Sequence, residues 1–197
     1  MNRPILFDVD GVLADFVIAY LTLLRDCVPG CEDIEPYHTG LQKVWDFSID
    51  KNYIHAGWVI VKNSNTFWMT LPPLVSPGTF ARINALTKKR EVYFVTSRSG
   101  GHKAQEQTRR WLTEHGVEHP TVIVSKNKGQ FARAVDAAAL IDDKAGNAVY
   151  VAYESPSTTA YLLNRQYNRF DHSVLGSKVR RIRAVDEFLD EIEKEGI

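Results

Sequence analysis

Cysteine is scarce in this chain, with two among 197 residues, Cys27 and Cys31. That is too few for a disulfide framework or a four-ligand zinc site, so both are expected to be ordinary thiols. No charge of one sign dominates either, since 24 Lys and Arg stand against 24 Asp and Glu. A protein that coats nucleic acid or an anionic membrane by bulk attraction carries surplus cations, so neither partner is expected. A local basic pocket for one phosphate remains compatible with zero net charge. Long apolar runs are missing as well. The longest near-apolar stretch, Phe16 to Leu24, falls short of the ~20 residues of a membrane helix. Met1-Asn2-Arg3-Pro4 leads into a short apolar run closed by Asp8, which leaves no room for a signal peptide. These absences point to a cytoplasmic protein, and a monomer or homodimer is expected.

What is present is ordinary globular composition, 44% hydrophobic. At roughly 150 residues per domain the length suggests one domain with an insertion. A chain of this size buries about 70% of its extended surface and needs no staple. There is no internal repeat and no low-complexity tract.

Along the chain, Pro4 to Val9 is short, apolar and stops in acid and glycine, which predicts a buried strand. Asp15 to Arg25 reads as a helix. From about Pro29 to Pro77 the character changes: Tyr37, Trp45, Phe47, Tyr53, Trp58, Phe67 and Trp68 mix with polar residues and turn formers without clean alternation. This stretch predicts a small, mainly helical inserted subdomain over 29–77, with a core formed by 1–28 and 78–197. Within the core, helices are expected over Thr79–Thr87, Lys103–His115 and Gly129–Val135. Strands are expected over Glu91–Val95, Thr121–Val124, Ala138–Ile141 and Thr158–Leu163. Composition leaves Ala148 to Tyr153 open between strand and helix. Ile182, Val185, Phe188, Leu189 and Ile192 mark a C-terminal amphipathic helix. Strands separated by helices imply βαβ units: an α/β fold with a Rossmann-like parallel sheet covered on both faces. Ligands of such sheets sit at the carboxyl ends of the strands.

Four strand ends carry chemistry: Asp8-Val9-Asp10-Gly11, Thr96-Ser97-Arg98, Lys126-Asn127-Lys128-Gly129 and Asp142-Asp143. Their convergence would gather up to four carboxylates, and burying so many unpaired would be very costly. A hard divalent cation bound through oxygen offsets that cost. Mg²⁺ is such an ion, using one or two carboxylates plus waters and a substrate phosphate. The ion and a lysine would keep one carboxylate ionised as a nucleophile. Gly11 lets the chain turn after Asp8 and Asp10, so that one can attack phosphorus while the other transfers protons. Thr96 and Ser97 can donate hydrogen bonds to phosphate oxygens. Singly each signal is weak; it is their order and placement that carry the reading.

This ordered set resembles the haloacid dehalogenase-like superfamily of phosphohydrolases. More narrowly, Asp10-Gly11-Val12-Leu13-Ala14-Asp15-Phe16, Phe67-Trp68-Met69-Thr70-Leu71-Pro72-Pro73 and Asn164-Arg165-Gln166-Tyr167-Asn168 look like elements of the 5'(3')-deoxyribonucleotidases. The resemblance implies Asp8 as nucleophile and Asp10 as general acid and base. It implies Mg²⁺ held by Asp8, the backbone carbonyl of Asp10 and Asp142, with Asp143 assisting through water. Thr96 and a lysine, either Lys126 or Lys128, would hold the phosphoryl group. Arg98 stands where animal members commonly have proline, which would add a cation to the phosphate loop. Phe16 and Trp68 would face a nucleobase, a role that a flat apolar ring suits. The ambiguous 146–153 stretch becomes a helix by the same resemblance. The implied activity is that of a Mg²⁺-dependent phosphomonoesterase of nucleoside monophosphates, deoxynucleotides in particular. Rival readings are the same chemistry on another small phosphate ester or a nucleic-acid terminal phosphate, and a non-catalytic nucleotide-binding or receiver-like module. A receiver would place its paired acids first and a single acid later, whereas here Asp-x-Asp comes first and Asp-Asp last.

Overall fold

The computed structural model describes residues 2–34, 49–169, 171, 174 and 178–194. Tyr37, Trp45 and Phe47 of the expected insertion lie outside the described residues.

Among the described residues, six parallel strands form one sheet in the order β3-β2-β1-β4-β5-β6. They are β1 (Ile5–Phe7), β2 (Val92–Thr96), β3 (Thr121–Val124), β4 (Ala139–Asp142), β5 (Thr159–Leu163) and β6 (Arg180–Ile182). The central strands read as unbroken apolar runs because both of their faces are covered. In β1, Ile5 and Phe7 enter one core layer with Phe94, Trp111, Ile141, Tyr161 and Phe188. Leu6 points the other way, joining Val95, Leu140, Ala148, Val151 and Leu162. The strand alternates in direction although it does not alternate in polarity.

Seven α-helices connect and cover the described strands: α1 (Phe16–Cys27), α2 (Lys51–Asn63), α3 (Pro77–Thr87), α4 (His102–Glu114), α5 (Lys128–Ala134), α6 (Ala145–Glu154) and α7 (Val185–Lys194). Their starts are written in side chains that accept orphan amide protons. Asp15 accepts from Ile18 N, Asp50 from Asn52 N and Ser76 from Thr79 N, with Pro77 opening α3. Helix α2 lies against α1 at Gly57, where an added Cβ would stand 2.5 Å from Leu24 Cδ2 and 2.8 Å from the Tyr20 hydroxyl. No described helix is long and apolar enough to cross a membrane.

Two sequence expectations change. Ile182 was expected to open the C-terminal helix but instead closes β6, paired in parallel register with Leu163. The helix itself begins at Val185 and buries Val185, Phe188, Leu189 and Ile192. The apolar spacing was right for the later residues, and Ile182 joined it by coincidence of period. Asp142, expected just past its strand, is the last residue of β4. The 146–153 stretch is helical, within α6.

Candidate active site

Register determines which side chains meet. Phe7 pairs with Phe94 on one side and Ile141 on the other, so the next residue, Asp8, stands level with Asp142 and beside the end of β2. Here the strand order reverses, with β2 and β3 on one side of β1 and β4 to β6 on the other, the switch point at which such sheets bind ligands.

Asp8 is held by both oxygens. Oδ1 accepts the Val9 amide at 2.7 Å, and Oδ2 lies 2.7 Å from Lys128 Nζ. Lys128, the first residue of α5, has a buried ammonium that also donates to Asp142 Oδ2 at 2.6 Å. It reaches that place because α5 packs tightly on α6: a Cβ at Gly129 would lie 2.9 Å from Glu154 Cβ and 3.0 Å from the Tyr150 ring. Both oxygens of Asp142 are engaged. Oδ1 accepts the Lys144 amide at 2.8 Å, and the Asn147 amide donates to each oxygen at 3.1 Å.

Asp143 differs. Its Oδ2 accepts the Tyr167 hydroxyl, while its Oδ1 is buried with no hydrogen-bond partner among the described residues. Oxygens of Asp8, Asp142 and Asp143 lie within 4.8 Å of one another, an arrangement that can hold a metal ion. The electrostatics agree. Burial, reinforced by Asp142 and Asp143, raises the Asp8 carboxyl well above its ordinary range despite Lys128. Burial, together with the Asp142 charge, pushes Asp143 up to about 6. For Lys128, burial favours the neutral form, but the charges of Asp142 and Asp8 outweigh it and raise its pKa. One ammonium among three buried carboxylates leaves negative charge uncompensated. An orphaned carboxylate oxygen in an all-oxygen donor set is what a hard divalent cation satisfies.

Above this floor opens a cavity of about 510 Å³, lined by Asp10, Phe16, Trp58, Trp68, Ser97, Arg98, Asp143 and Tyr167 among others. Thr96 is fully buried beneath it and donates to Asp10 Oδ2 at 3.4 Å. Asp10 and Arg98 form a fork: Nε lies 3.0 Å from Oδ2 and Nη2 lies 2.7 Å from Oδ1. Arg98 Nη1 donates to Thr108 Oγ1 at 2.7 Å, and the guanidinium lies 4.7 Å over the Trp68 ring. The cation expected to serve the phosphate loop is thus committed to Asp10 in this structure. Lys126 is exposed and lies outside the cavity lining; the ammonium that the fold brings to the acids is that of Lys128.

Phe16 and Trp68 do reach the cavity, but neither ring stands alone. Phe16 stacks on Tyr20, Trp58 and Trp68 with centroids 5.3, 5.5 and 5.8 Å away. Trp68 is buried, its amide donating to Gln107 at 3.0 Å. Trp58 of α2 is half-buried and lines the same cavity. Sequence reasoning did not single it out from the surrounding aromatics. Nor did it assign roles to Tyr167, Asn168 or Arg165, although the 164–168 element that contains them stood out. Arg165 Nε donates to Gly11 O at 2.7 Å and Asn168 Nδ2 to Asp143 O at 2.7 Å.

No protein-family model matches the sequence, and no curated protein matches it. Solved structures do match in fold. A protein of Burkholderia xenovorans described as a haloacid dehalogenase-like hydrolase is 10% identical with a TM-score of 0.58, covering 98% of each chain. A HAD-family hydrolase of Deinococcus radiodurans, crystallised with bound phosphate and sodium, is 14% identical with a TM-score of 0.57, covering 98% of this chain and 96% of its own. A Thermotoga maritima protein described as a beta-phosphoglucomutase is 18% identical with a TM-score of 0.56, covering 98% and 99%. The chain has the α/β fold of the haloacid dehalogenase-like hydrolases, with a buried aspartate trio at its strand ends able to hold a metal ion.

Proposed function

We propose that the protein is a Mg²⁺-dependent phosphomonoesterase of nucleoside monophosphates, deoxynucleotides in particular. The observation that carries the chemistry is the meeting of Asp8, Lys128, Asp142 and Asp143 at the ends of β1 and β4, with Asp143 also lining the cavity that Asp10 edges. The phosphate and sodium in the Deinococcus neighbour support an anion and cation site in this fold. The nucleotide reading rests on the aromatic wall of Phe16, Trp58 and Trp68, which offers flat apolar contact to a base. Segment 29–77 acts in this reading as a small cap over the core, and no macromolecular or membrane partner is needed.

In the reaction, an Asp8 oxygen attacks phosphorus and forms an aspartyl-phosphate. The P–O bond to the leaving group breaks, and Asp10 supplies the proton that this oxygen takes. Asp10 then accepts a proton from water as the water attacks the same phosphorus, which releases phosphate and restores Asp8. Thr96 and Ser97 donate to the phosphoryl oxygens, and Lys128 favours the ionised form of Asp8 against the burial that opposes it. Asp8, the Asp10 carbonyl, Asp142 and Asp143 would hold the ion, the three carboxylates lying within reach of one another. When bound, Mg²⁺ supplies charge neutralisation at the nucleophile and the phosphoryl group. Arg98 orients Asp10 through the fork.

A phosphate-release screen over the common nucleoside monophosphates and p-nitrophenyl phosphate, with and without Mg²⁺, tests the reading. It expects Mg²⁺-dependent hydrolysis with kcat/KM highest on a nucleotide. Equal rates on nucleotides and simple sugar phosphates would remove the nucleotide assignment. No Mg²⁺-dependent release at all would remove the phosphatase.

A further inference from the structure

The segment that follows β5 folds back onto both walls of the acidic site. Arg165 holds the carbonyl of Gly11, Asn168 holds the carbonyl of Asp143, and Tyr167 donates its hydroxyl to Asp143 Oδ2. The packing at this point is close. A Cβ at Gly11 would lie 2.3 Å from Asp143 Oδ2 and 2.8 Å from the Tyr167 oxygen, so the chain keeps that position bare. The two oxygens of Asp143 are therefore unequal: one is fixed by a tyrosine, and the other is buried with no hydrogen-bond partner among the described residues, on a carboxylate that groups with those of Asp8 and Asp142.

That asymmetry bears on which ion the site takes. Calcium accepts six to eight oxygens at about 2.3–2.6 Å and commonly takes both oxygens of one carboxylate, whereas magnesium requires a near-octahedral shell at about 2.0–2.1 Å. A carboxylate with one oxygen anchored by a hydroxyl is held in one orientation and is hindered from turning both oxygens to the same ion. We propose that Tyr167 is a positioning residue that restricts Asp143 to one-oxygen ligation and so makes the site favour a small octahedral divalent ion over calcium. Tyr167 touches neither the reacting atoms nor the ion and works only through Asp143. The inference rests on the reading of the aspartate trio as a metal site.

The test is calorimetric titration of the metal-free, full-length protein with Mg²⁺ and separately with Ca²⁺, for the wild type and Tyr167→Phe. Partners of metal ligands typically contribute 10–100-fold to affinity. The wild type should prefer Mg²⁺. Tyr167→Phe should lower the ratio of Mg²⁺ to Ca²⁺ affinity by tenfold or more, because Asp143 can then turn both oxygens to the ion. General loosening of the site would weaken both ions alike and leave the ratio where it was. The same ratio is read on Tyr167→Leu, so that a folding defect in one variant leaves the test standing. A ratio that moves by less than tenfold in the folded variants overturns the inference alone. A wild type that takes up neither ion overturns the metal reading and this inference together.

Discussion

At Asp8 one oxygen accepts a backbone amide and the other faces Lys128, so an amide at this position would keep the shape while losing both nucleophilicity and charge. Asp8→Asn is predicted to abolish phosphate release, measured under saturating Mg²⁺. Asp10→Asn should be milder, because Asp8 can still attack while a proton-transfer contribution of about 10²–10⁴-fold is lost. The aromatic wall gives a separate prediction. Trp58→Ala removes the half-buried ring of the cavity and should reduce kcat/KM on the preferred nucleotide by about 1–3 kcal/mol of stacking, roughly 5- to 150-fold. Turnover of p-nitrophenyl phosphate should hardly change; equal losses on both substrates would mean that Trp58 only supports the surrounding rings. The acids were legible one by one because each stands at a strand end. Sequence could not separate Lys126 from Lys128, which differ only in which side of the α5 start they occupy. Likewise Asp142 and Asp143 are adjacent acids until Lys128, Lys144 N and Asn147 are seen to engage only the first.

Helix α5 matters as a lever, since its first residue is Lys128 and its second is the glycine that lets it approach α6. Gly129→Leu must push the two helices apart, because even a Cβ would meet Glu154 Cβ at 2.9 Å. Overpacking of this kind costs about 1–3 kcal/mol. The variant should melt earlier and, because the ammonium is displaced from Asp8, should lose kcat more than its melting temperature alone explains at an assay temperature well below the melt. A kcat equal to that of wild type in the folded variant would show that α5 does not set the position of Lys128. Most elements were legible at this scale, since apolar strands alternate with capped helices. Strand β6 was not, because three residues beginning Arg180-Arg181 carry no strand pattern of their own and become a strand only by pairing with β5. Trp58 escaped for a related reason: it lies on α2, far along the chain from any strand end, and only the packing of α2 on α1 brings it to Phe16.

For the whole molecule, the acidic site sets a conflict between folding and ionisation. The Asp143 pKa of about 6 in the folded protein lies above its ordinary 3.8, so the folded state binds the proton more tightly than the unfolded chain. Its stabilising contribution is full below about pH 4 and is lost as the pH rises through 6. Asp8 is shifted in the same direction. Without divalent metal, wild type should therefore lose more stability between pH 4 and 7 than Asp143→Asn does. The melting-temperature gain on adding Mg²⁺ should grow over the same window, because the ion needs the carboxylates ionised. A thermal-melt series over pH with both proteins checks this; parallel curves would mean that Asp143 is not strained by burial.

Transfer of the phosphoryl group to Asp8 can be read by trapping. Wild-type protein turning over p-nitrophenyl phosphate with Mg²⁺ is quenched with borohydride, which reduces an acyl phosphate to the alcohol, and the peptide carrying residue 8 is then identified by mass spectrometry. Asp8 should be converted to homoserine only when substrate and Mg²⁺ are both present. Steady turnover with residue 8 unmodified and the reduction found at another side chain would rule out Asp8 as the nucleophile.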